Sequence, residues 1–374
     1  MIRQLVYILS VLNCSLFCVL GANAQIELIS STPQSAWNTS ILQKSSTRVE
    51  SEAVIELYPK IIQQKIEGFG GCFNELGWDA LQLLSEQKQD EVMNLLFDSH
   101  TGCSFTFCRM PIGANDYAND WYSFNETKND FEMKNFSIER DKKRLIPYIK
   151  SALRIQPALR LWASPWSPPS WLKSNENYAC YATKLNGLGK NKSGKEMETQ
   201  FIMDKPHLDA YALYISKFIR AYQEEKIKIE AVHVQNEMNS CQSFPSCIWR
   251  PEDIAVFIGR YLGPKLYSEA QPVDIWLGTI ERPQMERIDT VLANTLAKKY
   301  IKGAGFQWAG KDAIATVHKK YPNLNLMQTE TECGDGSNDW KAAEHTFNLM
   351  EHYFKAGAGA YMYWNMILLK NGLS

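Results

Sequence analysis

A (β/α)8 barrel is the fold class this sequence predicts. Three observations predict it: eight short apolar runs, helical patterns alternating with them, and acidic or aromatic residues collected at the carboxyl ends of the runs. Alternation of this kind implies parallel strands joined by right-handed crossovers. A doubly wound open sheet is the alternative, because periodicity by itself does not establish closure.

The first 24 residues stand apart. Arg3 gives a positive start, Leu5 to Leu20 is mostly apolar, and Ala22-Asn-Ala24 is a small-x-small site, the pattern of a secretory signal peptide. A secreted, periplasmic or extracellular protein is expected, with no integral membrane segment once the signal is removed. Residues 25–60 alternate weakly, as in Ala53-Val-Ile-Glu-Leu57, and read as short N-terminal strands ahead of a barrel over 61–374.

Lys65 to Cys72 is the first barrel strand, its glycines permitting close backbone approach. A helix follows from an N-cap at Ser85 through Val92, Leu95 and Leu96. Phe105 to Arg109 is the second strand, with Asp116 just beyond it, and the next helix runs from Ser137 with Leu145, Ile149 and Leu153 on one face. Ala158 to Trp162 is the third strand, leading into Ala163-Ser-Pro-Trp-Ser-Pro-Pro-Ser-Trp171, which can continue neither helix nor sheet. A helix over Leu208 to Tyr222 precedes the fourth strand, Glu230 to Asn236. Strands then fall at 274–278, 303–308, 326–330 and 359–364, with helical patterns at 252–266, 285–299, 310–320 and 340–356. The chain stops at Ser374, so the last barrel helix is expected to be missing and the chain to be a fragment.

Composition narrows the function. With 40 basic against 41 acidic residues, the chain has no field to gather nucleic acid or an anionic membrane, and a neutral substrate is the simpler expectation. No metal-ligand spacing and no phosphate- or dinucleotide-binding glycine motif is present, so no metal or cofactor is expected. Nothing in the sequence sets the oligomeric state. The seven cysteines after residue 24 are too sparse for a disulfide scaffold; Cys241 and Cys247 lie in one loop, where a short bridge would stiffen the rim. His233 reads as a satisfied core histidine.

Glu237 and Glu330 end the fourth and seventh strands. Two carboxylates facing each other across a barrel mouth are the equipment for cleaving a glycosidic bond: one protonates the leaving oxygen, the other attacks the anomeric carbon or activates water. Taken singly, a strand-end Glu is more often a rim residue. Trp166, Trp171, Trp308 and Trp364 also fall at strand ends, where a ring stacks on a pyranose face while Asn, Asp and Arg bind its hydroxyls.

The chain resembles glycoside hydrolase family 30, the glucosylceramidase-like and β-1,6-glucanase-like enzymes, over roughly residues 60–366. The matching segments are Glu67-Gly-Phe-Gly-Gly71, Arg109-Met-Pro111 with Asp116, Ala163 to Lys173, Gln235-Asn-Glu237, Gly305-Phe-Gln-Trp308, Gln328-Thr-Glu330 and Tyr363-Trp-Asn365. The resemblance implies a retaining β-glycosidase cleaving a β-glucosyl glycolipid or glucan by double displacement. In that mechanism Glu237 is the general acid/base and Glu330 the nucleophile. It implies too that Asn236 binds the sugar 2-hydroxyl, that Asp116, Trp166 and Trp364 hold the ring, and that Arg109 supports the nucleophile and keeps it ionised while Glu237 rests protonated. Glu332 shares a strand face with Glu330 and is the alternative nucleophile. Two departures stand out: relatives carry a Tyr after the strand-six Trp where this chain has Ala309, and they end in a β-sandwich of which only an N-terminal contribution is expected here. The competing readings are a non-catalytic carbohydrate-binding barrel and a relative acting on β-xylosyl or other β-linkages.

Overall fold

The computed structural model describes residues 26–42, 55–269, 273–330 and 337–369. The signal segment, Glu332 and Cys333 lie outside the described residues. Two units separate at Ile61. In the first, β1 (Ile26–Thr32) and β2 (Ser35–Leu42) pair antiparallel as a hairpin.

The second unit carries eight parallel strands, β3 (Gly68–Cys72), β4 (Phe107–Pro111), β5 (Arg160–Ser164), β6 (Ala231–His233), β7 (Asp274–Ile280), β8 (Ile301–Gln307), β9 (Asn325–Glu330) and β10 (Ala360–Asn365). Their order, β10-β3-β4-β5-β6-β7-β8-β9, is sequential with the last strand beside the first. The remaining seam between β9 and β10 is drawn together by Gly359 N–H donating to Leu326 O at 2.7 Å and Met362 N–H donating to the Gln328 side-chain carbonyl at 2.6 Å. Closure decides the fold in favour of the barrel over the open sheet.

Alternation explains the layering. Phe107, Trp162, Ala231, Met327, Ala360 and Met362, with Trp276, form one cluster, whereas their chain neighbours Cys108, Leu161, Val232 and Leu277 pack into a separate, larger one that includes the helices. Successive side chains on a strand point to opposite faces, so the first cluster fills the barrel and the second seals it against its helical coat.

Most boundaries shift by one or two residues from expectation. Larger differences have local causes. The third helix begins at Leu145, not Ser137, because a 3-10 turn at Asp141–Lys143 intervenes. The helix that starts at Pro251 passes through a π-turn at Ile258–Leu262 before resuming at Gly263–Ser268, as expected where Pro264 cannot donate its backbone hydrogen bond. The pattern over 285–299 breaks at Asn294, whose side chain caps a new helical turn at Thr295–Lys298. A helix at Glu75–Gln82, capped by Asn74 Oδ1 accepting from Gly77 N–H, was not expected from the sequence. Among the described residues no helix is long and apolar enough to cross a membrane.

Candidate active site

Strand β6 is shorter than its apolar run. Its ladder ends at His233, and the backbone of Asn236 and Glu237 instead binds both neighbouring strands: Asn236 N–H donates to Pro165 O at 2.9 Å, and Glu237 N–H to Thr279 O at 3.2 Å. Glu237 itself takes a left-handed backbone, φ 47°. Such a conformation costs a non-glycine residue on the order of 1 kcal/mol, and here it aims the side chain across the mouth.

One cation organises the floor. Arg109 of β4 is wholly buried beneath the rings of Trp162, Trp166 and Trp364, its guanidinium carbon 4.9, 4.2 and 5.3 Å from their centres. Its Nη1 donates to Glu330 Oε2 at 2.8 Å and its Nη2 to Asn236 Oδ1 at 2.7 Å, while Ser164 Oγ accepts from Nη2 at 2.9 Å. Asn236 Oδ1 also accepts from Thr279 Oγ at 2.8 Å. With its carbonyl saturated in this way, the Asn236 amide nitrogen is left as the group that can donate into the cleft.

Gln307, at the end of β8, joins the two carboxylates. Its Nε2 lies 3.1 Å from Glu237 Oε1 and 3.3 Å from Glu330 Oε2. Thr329 Oγ donates to its Oε1 at 2.9 Å, which fixes which end of the amide faces the acids. A single nitrogen touching both keeps these two oxygens within about 6.5 Å of each other, a separation compatible with a direct-attack pair. Glu237 Oε2 accepts a further bond from Gln242 Nε2 at 3.0 Å. Neither amide was singled out in the sequence; both occupy places where a donor to a carboxylate was needed, Gln307 serving where Ala309 leaves the usual tyrosine absent.

Above this floor a cavity of about 630 Å³ is lined by Asp116, Tyr117, Trp166, Asn236, Glu237, Gln242, Phe244, Trp308, Glu330 and Trp364. Trp166 and Trp364 stack on each other at 5.5 Å as one wall, and Trp308, 39% exposed with φ 49°, stands free at the rim. Trp171 is elsewhere: it is buried beside Phe131 and His207 and its indole N–H donates to Asn125 O at 3.0 Å, so it is a core residue and not part of the sugar-facing set. His233 is likewise core, stacked between Trp162 and Trp276, and burial and Arg109 hold it neutral. A second cavity, about 520 Å³, opens at the opposite end of the strands around Glu67, Arg160 and Glu230, away from these acids.

Charge repulsion shapes the titration. Burial first, then the charges of Glu237 and Asp116, push Glu330 up to about 8 against the pull of Arg109. The expectation that the nearby cation keeps Glu330 ionised is corrected accordingly: burial outweighs the Arg109 guanidinium. Asp116, half-buried with one buried carboxylate oxygen lacking any partner, is raised to about 7 by desolvation and Glu237. Glu281, just past β7, is raised to about 7 by burial and Glu237; it accepts from Asn239 N–H at 3.0 Å and Ser240 Oγ at 2.9 Å, fixing the turn behind Glu237. Among the described residues no cluster of three His, Cys, Asp or Glu suits a metal ion.

A closed parallel barrel with two facing carboxylates and aromatic walls at its carboxyl mouth defines a glycoside-hydrolase class of protein. The chain belongs to glycosyl hydrolase family 30, whose TIM-barrel domain matches residues 66–368. It is 32% identical over 288 residues to putative glucosylceramidase 1 of Caenorhabditis elegans, covering 74% of this chain and 52% of that one. It is 29% identical over 302 residues to the lysosomal acid glucosylceramidase of Mus musculus (77% and 56% covered). The endo-1,6-beta-D-glucanase of Neurospora crassa is 25% identical over 276 residues, covering 72% and 54%. Among solved structures, SrfJ of Salmonella typhimurium superposes with a TM-score of 0.80 at 25% identity, covering 94% of this chain and 76% of that one. The chain thus spans about half the length of the curated relatives it matches.

Proposed function

We propose that this protein is a secreted, retaining β-glycosidase that hydrolyses β-glucosyl linkages of a glycolipid or a glucan. One observation carries the reading: a single amide nitrogen, Gln307 Nε2, reaches both Glu237 and Glu330, which keeps the two acids close enough to serve as nucleophile and acid/base on one anomeric carbon. The Arg109 guanidinium bonds Glu330 at 2.8 Å, whereas the side-chain partners of Glu237 are the neutral amides of Gln242 and Gln307; that contrast supports Glu330 as the nucleophile and Glu237 as the acid. Glu330 then attacks the anomeric carbon as Glu237 protonates the departing oxygen. Once Glu330 is consumed in the glycosyl ester, Glu237 takes a proton from water for the second displacement. Asn236 donates to the 2-hydroxyl, Asp116 accepts from a ring hydroxyl with its unpartnered oxygen, and Trp166, Trp364 and Trp308 bound the sugar.

Proton NMR of the first-formed sugar is the direct test. The β-anomer is expected, and initial release of the α-anomer excludes the double displacement. Glu330→Gln should lower hydrolysis of an aryl β-glucoside by at least about 10⁴-fold with the fold intact by circular dichroism; turnover at the native level would transfer the role to Glu332 or end the proposal.

A further inference from the structure

We propose that Cys180 and Cys241 are a paired oxidation site, closing into a disulfide that ties the loop after β5 to the loop after β6 at the rim of the cleft. The backbone already brings the two loops together. Cys180 N–H and Tyr181 N–H both donate to Gln242 O, at 3.0 and 2.8 Å, Ser246 N–H donates to Tyr178 O at 3.0 Å, and Ala179 bridges antiparallel to Pro245. Both cysteines also converge on Gly194: its N–H donates to Cys180 O at 2.8 Å, and Cys241 Sγ donates to its carbonyl at 3.2 Å. The Cys180 thiol donates to the Gln200 side-chain carbonyl and, at 3.4 Å, to Ser246 O, and the two thiols lie close enough to shift each other's proton affinity.

Cys247, the partner weighed from loop spacing, is fully buried, and its thiol donates to the adjacent Ile248 carbonyl at 3.9 Å; both it and Cys241 are free thiols in this structure. Phe244 and Pro245 lie between the two in a loop whose backbone pairs with residues 178–181.

The surroundings favour the chemistry. Lys173 is buried with its ammonium bonded to the carbonyls of Tyr178 at 2.7 Å and Ser246 at 2.6 Å, beside Cys180. Burial raises the Cys180 thiol, but Cys241 and the Lys173 charge bring it below its ordinary value, while Cys180 and burial push the Cys241 thiol up. Cys180 is inaccessible whereas Cys241 is partly exposed, which sets the order of events. With a low-molecular-weight disulfide such as glutathione disulfide as oxidant, Cys241 attacks one sulfur and releases one glutathione, which takes the Cys241 proton. The Cys180 thiolate then attacks the Cys241 sulfur, the new S–S bond forms, and the second glutathione leaves and is protonated by solvent. Two cysteines are oxidised and one glutathione disulfide is reduced to two thiols.

A clasp here bears on Gln242, which lies next to Cys241 and donates to Glu237. Its effect on turnover rests on the glycosidase reading; the linkage itself does not. The test is non-reducing peptide mapping of the full chain after incubation with glutathione disulfide and alkylation of remaining thiols. A peptide joining Cys180 to Cys241 is expected, with Cys247 recovered alkylated only after denaturation. A Cys241–Cys247 peptide, or Cys241 carrying glutathione while Cys180 stays free, overturns the proposal. The oxidised protein should also melt higher than the reduced one, by roughly 5 °C for a loop of this length. Cys241→Ser should abolish that difference and Cys247→Ser should leave it; a difference that survives Cys241→Ser refutes the pairing.

Discussion

At the scale of single residues, function turns on how few donors hold the acids. Gln307 contacts Glu237, Glu330 and, at 3.4 Å, Asn236 Oδ1, so truncating it removes hydrogen bonds from both catalytic candidates while leaving the charges in place. Gln307→Ala is expected to lower kcat/KM by about 10²-fold, with Gln307→Asn unable to restore it because the shorter amide does not span the gap. The carboxyl of Glu330 gives a second expectation. It must be ionised to attack, so hydrolysis of an aryl β-glucoside should rise as pH rises through about 8. In Glu237→Gln the negative charge that helps push Glu330 up is gone, so that limb should move to lower pH; a limb that stays in place would assign it to another group. The two glutamates were legible because each ends an apolar run. Gln307 and Gln242 were not, since an amide acquires its role only from what other strands bring within 3 Å of it.

Among the elements, the approach of helices to the barrel depends on a buried acid. Asp141 accepts hydrogen bonds from Tyr122 and Tyr222, joining the 3-10 turn to the helix Lys205–Glu224, and burial raises it to about 7. A carboxyl raised on folding binds more protons native than unfolded, so the stability it supports is complete below its unfolded value near 4 and is lost as pH rises through about 7. Asp116, Glu281 and Glu330 act in the same direction. The melting temperature should therefore fall between about pH 5 and about pH 8, and Asp141→Asn should make that fall shallower. An unchanged slope would mean that Asp141 is charged in the native state throughout. Strands were easier to read than helices here: a buried parallel strand is a run of β-branched and aromatic residues whatever surrounds it, whereas the helix Glu75–Gln82 is short, holds Gly77, and survives because Asn74 caps it and Leu81 packs into the core.

For the whole molecule, the barrel fixes which end does chemistry and leaves the choice of substrate to loops. Glu237, Glu330, Trp308 and Trp364 reach one cavity because all eight strands run parallel and close. A panel of glucosylceramide, β-1,6-glucan and xylan, each followed by release of reducing sugar, should show turnover of a β-glucosyl substrate and none of xylan; xylan cleavage alone would move the protein to the β-xylosyl reading.

The sequence by itself determined the succession of strands and helices, the strand-end positions of Glu237 and Glu330, and the family, because these depend on local patterning and on residue types in order. Tertiary structure alone decided that Trp171 is core while Trp166 faces the cleft, that the loop holding Cys241 packs against residues 178–181, and that Gln307 spans the two acids. Each of those outcomes depends on distances between segments far apart along the chain, which are set by closure of the sheet and the packing of its loops.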